Sequence, residues 1–461
     1  MTDPSSSSGF HQQQRLHSNL KSTDSSVFFS LLSQAELPEP VHALVPEHRE
    51  RLFPPLITLS MFMAQVCNAD HSCQNAVNQA AIERLINHQT ACSCHTGAYC
   101  RARKRIPLTL IKTLTQCLAL ESEKMIPNKH LWQGRRVLIV DGTTVTMPDT
   151  LANQSIFPQQ GCQKKGLGFP ICRILGITSL ASGALLNAAT GRFKGKGGDE
   201  HTLLRSMLDT FRPGDILLGD ALFPSYFLIA ELQKRNVDLL MEQQGSRKRS
   251  TDFSKGHKLG AKDHLITLQK PKVRPAWMGS YTYDDMPDCV TVRELKVGHK
   301  ILVTTLSDPK IASKVVLKKL YQQRWHIEVD IRHIKTTMGM NILSCKTPEM
   351  AVKEIWTYLL AYNVIRHIML QSASLADKLP RALSFKHSLQ LWRISYLMME
   401  RWAENYQEVS CLMAQLEVGK RPGRIEPKAV KRRPKPYPLM MKPREEAREE
   451  VRANGHPKKL K

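Results

Sequence analysis

The chain has 461 residues, and 66 Lys and Arg against 41 Asp and Glu give it a formal charge of +25. It is too long for one minimal core, and at 42% hydrophobic it can build several. It has no apolar run of about 18 residues that would span a bilayer, and the charge predicts attraction to a polyanion, nucleic acid ahead of a membrane surface.

The first 24 residues are rich in Ser and Gln, lack the charged start and apolar centre of a secretory signal, and are expected to be disordered. From Ser26 to Ile126 apolar residues recur at helical spacing, in Val27–Leu32, Leu56–Val66 and Ala76–Ile86. Eleven cysteines without a disulfide-like rhythm read as reduced thiols of a cytoplasmic protein. Cys92, Cys94, His95 and Cys100 raise zinc, but Cys-x-Cys is not the Cys-x2-Cys spacing of structural zinc sites, and buried thiols are the simpler reading. Arg101, Arg103, Lys104 and Arg105 precede an apolar helix over Leu108–Leu120. They either touch DNA phosphates or form a solvated basic face.

At Arg135 the pattern changes. Val137–Asp141 is a short apolar run closing on an acid, which suits a buried strand. Pro170–Leu180 and Ala184–Ala189 read as two strands joined by a turn. Glu200–Phe211 reads as an amphipathic helix, Pro213–Asp220 as another strand closing on an acid, Ser225–Arg235 as a helix and Val237–Met241 as a strand. The order β-β-β-α-β-α-β, with carboxylates at two strand ends, matches the ribonuclease-H-like fold. That fold calls for a further acid on a later helix. The intervening segment is basic from Arg247 to Lys262, then β-branched or alternating in His264–Leu268, Val290–Leu295 and Ile301–Leu306, so it reads as a mostly β insertion.

Tyr321–Lys335 reads as part of one helix. At about 100° per residue, Tyr321, Arg324, Glu328 and Lys335 fall within roughly 60° of one another. Leu320, Ile327, Ile331 and Ile334 form an apolar stripe beside them, and Asp330 points away. A lone acid flanked by cations suits a metal-dependent phosphate site better than a solvated face; the plain alternative is an amphipathic helix with ordinary ion pairs. Gly339 and Asn341 end this helix, and helices follow over Glu349–Leu370, Ser384–Leu397 and Glu404–Val418. From Lys420 to Lys461, 15 Lys and Arg stand against 5 Asp and Glu, with many prolines.

The expected architecture is α/β. It comprises a disordered tail (1–24), a helical N-terminal DNA-binding domain (25–130), a ribonuclease-H-like core in two parts (131–244 and 309–372) split by a β insertion (245–308), C-terminal helices (373–419) and a basic flexible tail (420–461).

Asp141, Asp220 and Glu328 are expected to converge. Oxygen ligands of this kind suit hard cations such as Mg²⁺, with Mn²⁺ able to substitute. Two ions about 3.5–4 Å apart activate an attacking oxygen and stabilise a leaving one. Phosphoryl transfer needs charge neutralisation and in-line placement above all. Arg324 and Lys335 are placed to clamp DNA phosphates, and Tyr321 to hydrogen-bond one. Each strand-terminal Asp is also a plausible turn or cap residue, and Asp149 and Asp215 are rivals for Asp141 and Asp220.

The spacing Tyr321-x2-Arg324-x3-Glu328-x6-Lys335 resembles the YREK motif of the bacterial DDE transposases of insertion-sequence family four. Supporting pieces are Thr96–Arg103, Val140-Asp141-Gly-Thr-Thr, Lys165-Gly-Leu-Gly-Phe-Pro, Gly219-Asp220-Ala-Leu-Phe, Val292-Arg-Glu294 and Arg421-Pro-Gly-Arg424. One departure is Ala221, where many members carry Arg after the second acid. The resemblance implies catalytic, metal-binding Asp141, Asp220 and Glu328, with phosphate contacts from Tyr321, Arg324 and Lys335. It also implies nicking of transposon ends, hairpin formation and resolution, and strand transfer to target DNA. The partners would be double-stranded terminal inverted repeats and target DNA, bound by a homodimer in a bacterial, nucleoid-associated setting. Hairpin formation would need a flipped base stacked on an aromatic ring of the insertion, and Trp277 is the only Trp there. Two other functions compete: a DNA-binding regulator on an inactive transposase scaffold, and a ribonuclease-H-like nuclease without strand transfer.

Overall fold

The computed structural model describes residues 41, 43–47, 52–86, 88–90, 92–164, 166–195, 197–396, 402–419 and 442–455. The expected tail at 1–24, the helix over Val27–Leu32, the Arg421–Arg424 motif and most of the basic tail lie outside them, as does Lys165.

Four helices come first: α1 (Pro55–Cys67), α2 (Cys73–Ile86), α3 (Gly97–Arg105) and α4 (Leu108–Lys124). Prolines 54 and 107 precede α1 and α4, where no intrahelical donor is lost. Next come β1 (Val137–Thr146), α5 (Leu151–Ile156), β2 (Ile171–Ser179), β3 (Leu185–Arg192), α6 (Glu200–Arg205), β4 (Ile216–Gly219), α7 (Tyr226–Lys234) and β5 (Asp238–Glu242). The inserted segment holds α8 (Gly245–Ser250), β6 (His257–Gly260), β7 (Asp263–Gln269), α9 (Ser280–Asp284), β8 (Cys289–Val297) and β9 (Lys300–Thr304). The chain continues through α10 (Lys314–Gln322), α11 (Trp325–Arg332), a π turn (His333–Thr337), α12 (Pro348–Leu375), α13 (Phe385–Tyr396), α14 (Trp402–Gln415) and α15 (Arg444–Asn454).

The strands form one sheet in the order β3-β2-β1-β4-β5-β9-β8-β7-β6. β1 pairs antiparallel with β2 and parallel with β4, and β4 pairs parallel with β5. Three antiparallel strands followed by two parallel ones, in the order 3-2-1-4-5, is the ribonuclease-H-like arrangement. The alternating faces of β1 explain its central place. Leu138 and Val140 enter the core shared with α6 and α7, while Val137 and Ile139 enter the one shared with α10 and α11. The buried helix α12 spans the far end of β1–β3 and packs on α4 and α1.

The structure corrects several expectations. Beyond the expected β character of the insertion, its strands extend the central sheet: β9 pairs antiparallel with β5 and carries β8, β7 and β6 on the same sheet. β1 does not end at Asp141 but continues to Thr146, because its long pairing with β2 extends well beyond the short β4. The helix at Glu200 is shorter than expected, ending at Arg205 before a 3₁₀ turn at Leu208–Thr210. The segment Tyr321–Lys335 is not one helix. Arg324, His326 and Ile327 make i→i−3 backbone bonds to Tyr321, Gln323 and Arg324, so the chain tightens between α10 and α11, and it widens again in the π turn. Leu320 and Ile327 still face the same core. Within the segment expected to be a basic flexible tail, Arg444–Asn454 form α15, and Arg444 donates to Asp149 at 2.6 Å and lies over the Phe169 ring.

Candidate active site

Asp141 lies on β1 and Asp220 just past the end of β4, the parallel strand beside it. The last β1–β4 pair is Ile139 with Leu218, so Asp141 lies two residues beyond it on β1 and Asp220 two residues beyond it on the chain leaving β4. Asp141 is on the Ile139 face of β1, the face on which α11 packs. Asp220 follows the end of β4, and its Oδ1 accepts the Leu222 amide at 2.8 Å. Tyr321 ends the buried face of α10, and Glu328 sits in the first turn of α11, where a carboxylate is favoured.

Arg324, in the tightened link between those helices, joins two of the three acids. Its Nη2 donates to Glu328 Oε1 at 2.6 Å, and its Nη1 stands 3.7 Å from Asp141 Oδ2. Burial pushes the Asp141 carboxyl up to about 6. The Gly142 amide and Arg324 oppose that shift, and the charges of Asp220 and Glu200 add to it. Burial also pushes the Tyr321 hydroxyl up to about 12, so the phenol remains a donor at neutral pH. Lys335 is half-buried in the π turn, and burial lowers its ammonium pKa. Among the described residues it makes no ion pair with these acids. Arg324 is thus tied to Asp141 and Glu328, while Asp220 is coupled to Asp141 and Tyr321 through its charge.

A fourth carboxylate, Glu200, was not singled out in the sequence. Burial raises its pKa, Arg173 opposes the rise, and the charge of Asp220 adds to it. The rival acids have structural partners. Asp149 pairs with Arg444, Asp215 takes a bidentate pair from Arg136, and Asp330 is fully buried between Arg366 and Arg381.

Among the described residues, no three or more His, Cys, Asp or Glu side chains form a ready metal cage. Arg324 supplies the positive charge between Asp141 and Glu328. The donor types nevertheless suit a hard divalent cation: the candidate ligands are all carboxylate oxygens, and Asp141 is half-buried. Zinc at Cys92, Cys94, His95 and Cys100 finds no such gathering, with Cys94 exposed and every cysteine free.

Trp277 is half-exposed and stands outside the ion-pair network of the acids. The Arg205 guanidinium lies 3.7 Å from its ring centroid, and Phe227 meets it edge-on at 6.0 Å. Arg103 is buried against Gln65 and Tyr99, so only Arg101, Lys104 and Arg105 of that basic run face solvent. Of the basic insertion segment, Arg247 and Lys248 pair with Glu294 and Glu242, whereas Arg249, Lys258 and Lys262 are exposed. None of the described helices is long and apolar enough to cross a membrane.

The family model for the transposase DDE domain matches residues 132–364, half of the chain, which holds all three acids. The transposase InsG of insertion sequence element IS4 from Escherichia coli (strain K12) is 27% identical over 361 residues, 75% of this chain and 78% of that protein. The putative transposase InsZ of the same organism is 27% identical over 143 residues, 31% of this chain and 47% of that protein. A solved piggyBac transposase, in a synaptic complex with hairpin DNA, aligns over 87% of each chain with 11% identity and a TM-score of 0.45. The chain belongs to the DDE transposases, in insertion-sequence family four, and is a DNA transposase enzyme.

Proposed function

We propose that this transposase cleaves transposon-end DNA by metal-dependent phosphoryl transfer at Asp141, Asp220 and Glu328. The Arg324 guanidinium, 2.6 Å from Glu328 and 3.7 Å from Asp141 on the sheet face where α11 packs, carries this reading. Divalent ions, Mg²⁺ or Mn²⁺ and two per site, would be held by these three acids and supply Lewis acidity and an activated water.

The chain's own residues do the rest. Arg324 shares its guanidinium between acids in the free protein and turns it toward a phosphate when DNA arrives. Tyr321 donates its hydroxyl to a phosphate oxygen, and Lys335 adds charge from the π turn. The exposed Arg249, Lys258 and Lys262 hold the duplex through its backbone. The same site serves hairpin formation, hairpin resolution and strand transfer to target DNA, acting on terminal inverted repeats within a homodimer. Trp277 holds a flipped base, which displaces Arg205 from the ring.

The test is Glu328→Gln, assayed for nicking of end DNA in Mg²⁺. Loss of cleavage with retained DNA binding is expected. Normal cleavage would remove the role given to this acid, and absence of nicking by the unaltered protein would favour the inactive regulator. Nicking without inserted products that carry a duplicated target would favour a nuclease.

A further inference from the structure

We infer that Lys248 and Lys300, gathered on Glu242, form a phosphate-binding subsite beside Tyr321 that holds one backbone phosphate of the DNA strand being cut. This rests on the proposed site at Asp141, Asp220 and Glu328.

The sheet places Glu242. Leu240 of β5 pairs with Leu218 of β4, which pairs with Ile139 of β1, and all three side chains enter the core beneath α10 and α11. Side chains alternate along a strand, so Glu242 shares that face with Leu240, as Asp141 shares it with Ile139. Across the β5–β9 ladder Glu242 pairs with Leu302, and Lys300, two residues before Leu302, lies on the same face. Lys248 reaches the same carboxylate from α8. It donates to Glu242 Oε1 at 3.1 Å, while Lys300 donates to Oε2 at 2.7 Å. The Lys300 ammonium also lies 5.4 Å from the centroid of the Tyr321 ring. The Tyr321 hydroxyl, pushed up by burial, feels the charges of Arg324, Glu242 and Asp220 as well, so the cluster adjoins the candidate active site.

Charge decides what this cluster takes. One carboxylate holds two ammoniums, which leaves one positive charge in excess. Burial alone would raise the Glu242 carboxyl, but the hydrogen bonds and charges of Lys300 and Lys248 bring it below its ordinary value, so the anchor stays ionised. Its side chain is 18% exposed, against 34% for Lys248 and 51% for Lys300, so the acid is shielded and the cations face solvent. Each ammonium has three N–H donors and gives one of them to Glu242. Among the described residues neither makes another hydrogen bond. Bringing two like charges together on one acid repels a metal ion and suits an anion that accepts from both. A phosphodiester, with one negative charge and two free oxygens, matches the excess charge and the spare donors. Tyr321 donates to one phosphate, and Lys248 and Lys300 receive the next one along the same strand.

The test is binding of end DNA by the full-length protein across a salt series, with thermal unfolding and single-turnover nicking measured alongside. Lys300→Gln and Lys248→Gln are each expected to unfold at the wild-type temperature, to bind about tenfold more weakly and to lower the slope of log affinity against log salt by about one. Lys300→Arg should keep the wild-type slope. A set of duplexes, each with one uncharged methylphosphonate near the scissile bond, then locates the contact. One position should weaken binding by the wild type about tenfold and leave Lys300→Gln unaffected. Wild-type affinity and slope in both glutamine variants would overturn the inference, and so would losses that add to the methylphosphonate penalty at every position. If Glu328→Gln is inactive in nicking while the lysine variants behave as wild type, the subsite alone fails. Normal nicking by Glu328→Gln would instead overturn the active site on which the inference rests.

Discussion

Arg324 donates a 2.6 Å hydrogen bond to Glu328, one turn further along the chain. It does so from the tightened link between two helices and not from within one. That link lets one guanidinium face both Glu328 and Asp141.

Replacing this cation tests its dual role. Arg324→Gln leaves Asp141 and Glu328 without their shared positive charge. Single-turnover nicking of end DNA should fall by about 100-fold or more. Arg324→Lys keeps the charge but loses the fork, and should restore only part of the rate. A lysine variant as fast as the wild type would show that charge alone suffices.

Asp330 provides a structural contrast to Glu328 two residues away. Burial alone would raise its pKa, but Arg381 and Arg366 hold it low. Asp330→Ala strands two guanidiniums in the core, so unfolding in urea should show a loss of about 3–5 kcal/mol. The effect is on stability, and Mn²⁺ binding by the folded fraction should be unchanged.

His367 sets a pH dependence of stability. Burial lowers its pKa from the ordinary 6.5 to about 4. Ser122 Oγ meets Nδ1 at 2.9 Å, and Nε2 has no partner among the described residues. The fold holds the ring neutral, while the unfolded chain protonates it below about 6.5. Its contribution, on the order of 3 kcal/mol, is therefore present above that pH and lost as pH falls toward 4. Urea midpoints of wild type and His367→Gln should converge between pH 7.5 and 4.5; a constant gap would exclude the linkage.

The exposed cations of the insertion should set the salt response. Converting Arg249, Lys258 and Lys262 to Ala should reduce the slope of log affinity against log salt by about one for each DNA phosphate left without its cation. Arg247→Ala should change the slope less, because Glu294 already holds that guanidinium.

Much of the sheet was legible in the sequence, because Val137–Asp141 and Pro213–Asp220 are short apolar runs with a polar end. Their parallel register was not, since pairing depends on how α6 and α7 return the chain. The break at Gln323 and Arg324 was hidden because Leu320 and Ile327 serve one core across either a straight helix or a tightened one. Glu200 was invisible for a related reason. In the sequence it is an ordinary first-turn acid after Asp199, and only the fold brings it to Gly142, 58 positions earlier. The insertion's β character was readable, but its attachment to β5 was not, because edge pairing leaves no local signature.

That attachment has a mechanical consequence. β9 is the last strand of the insertion, a neighbour of β5 in the central sheet, and the strand that leads into α10, Arg324 and Glu328. A load placed on the outer strands would therefore pass through the β5–β9 ladder to the chain that carries Arg324 and Glu328. On the proposed site, grip on the substrate and alignment of Glu328 would be mechanically linked, so loosening the β5–β9 seam should uncouple one from the other.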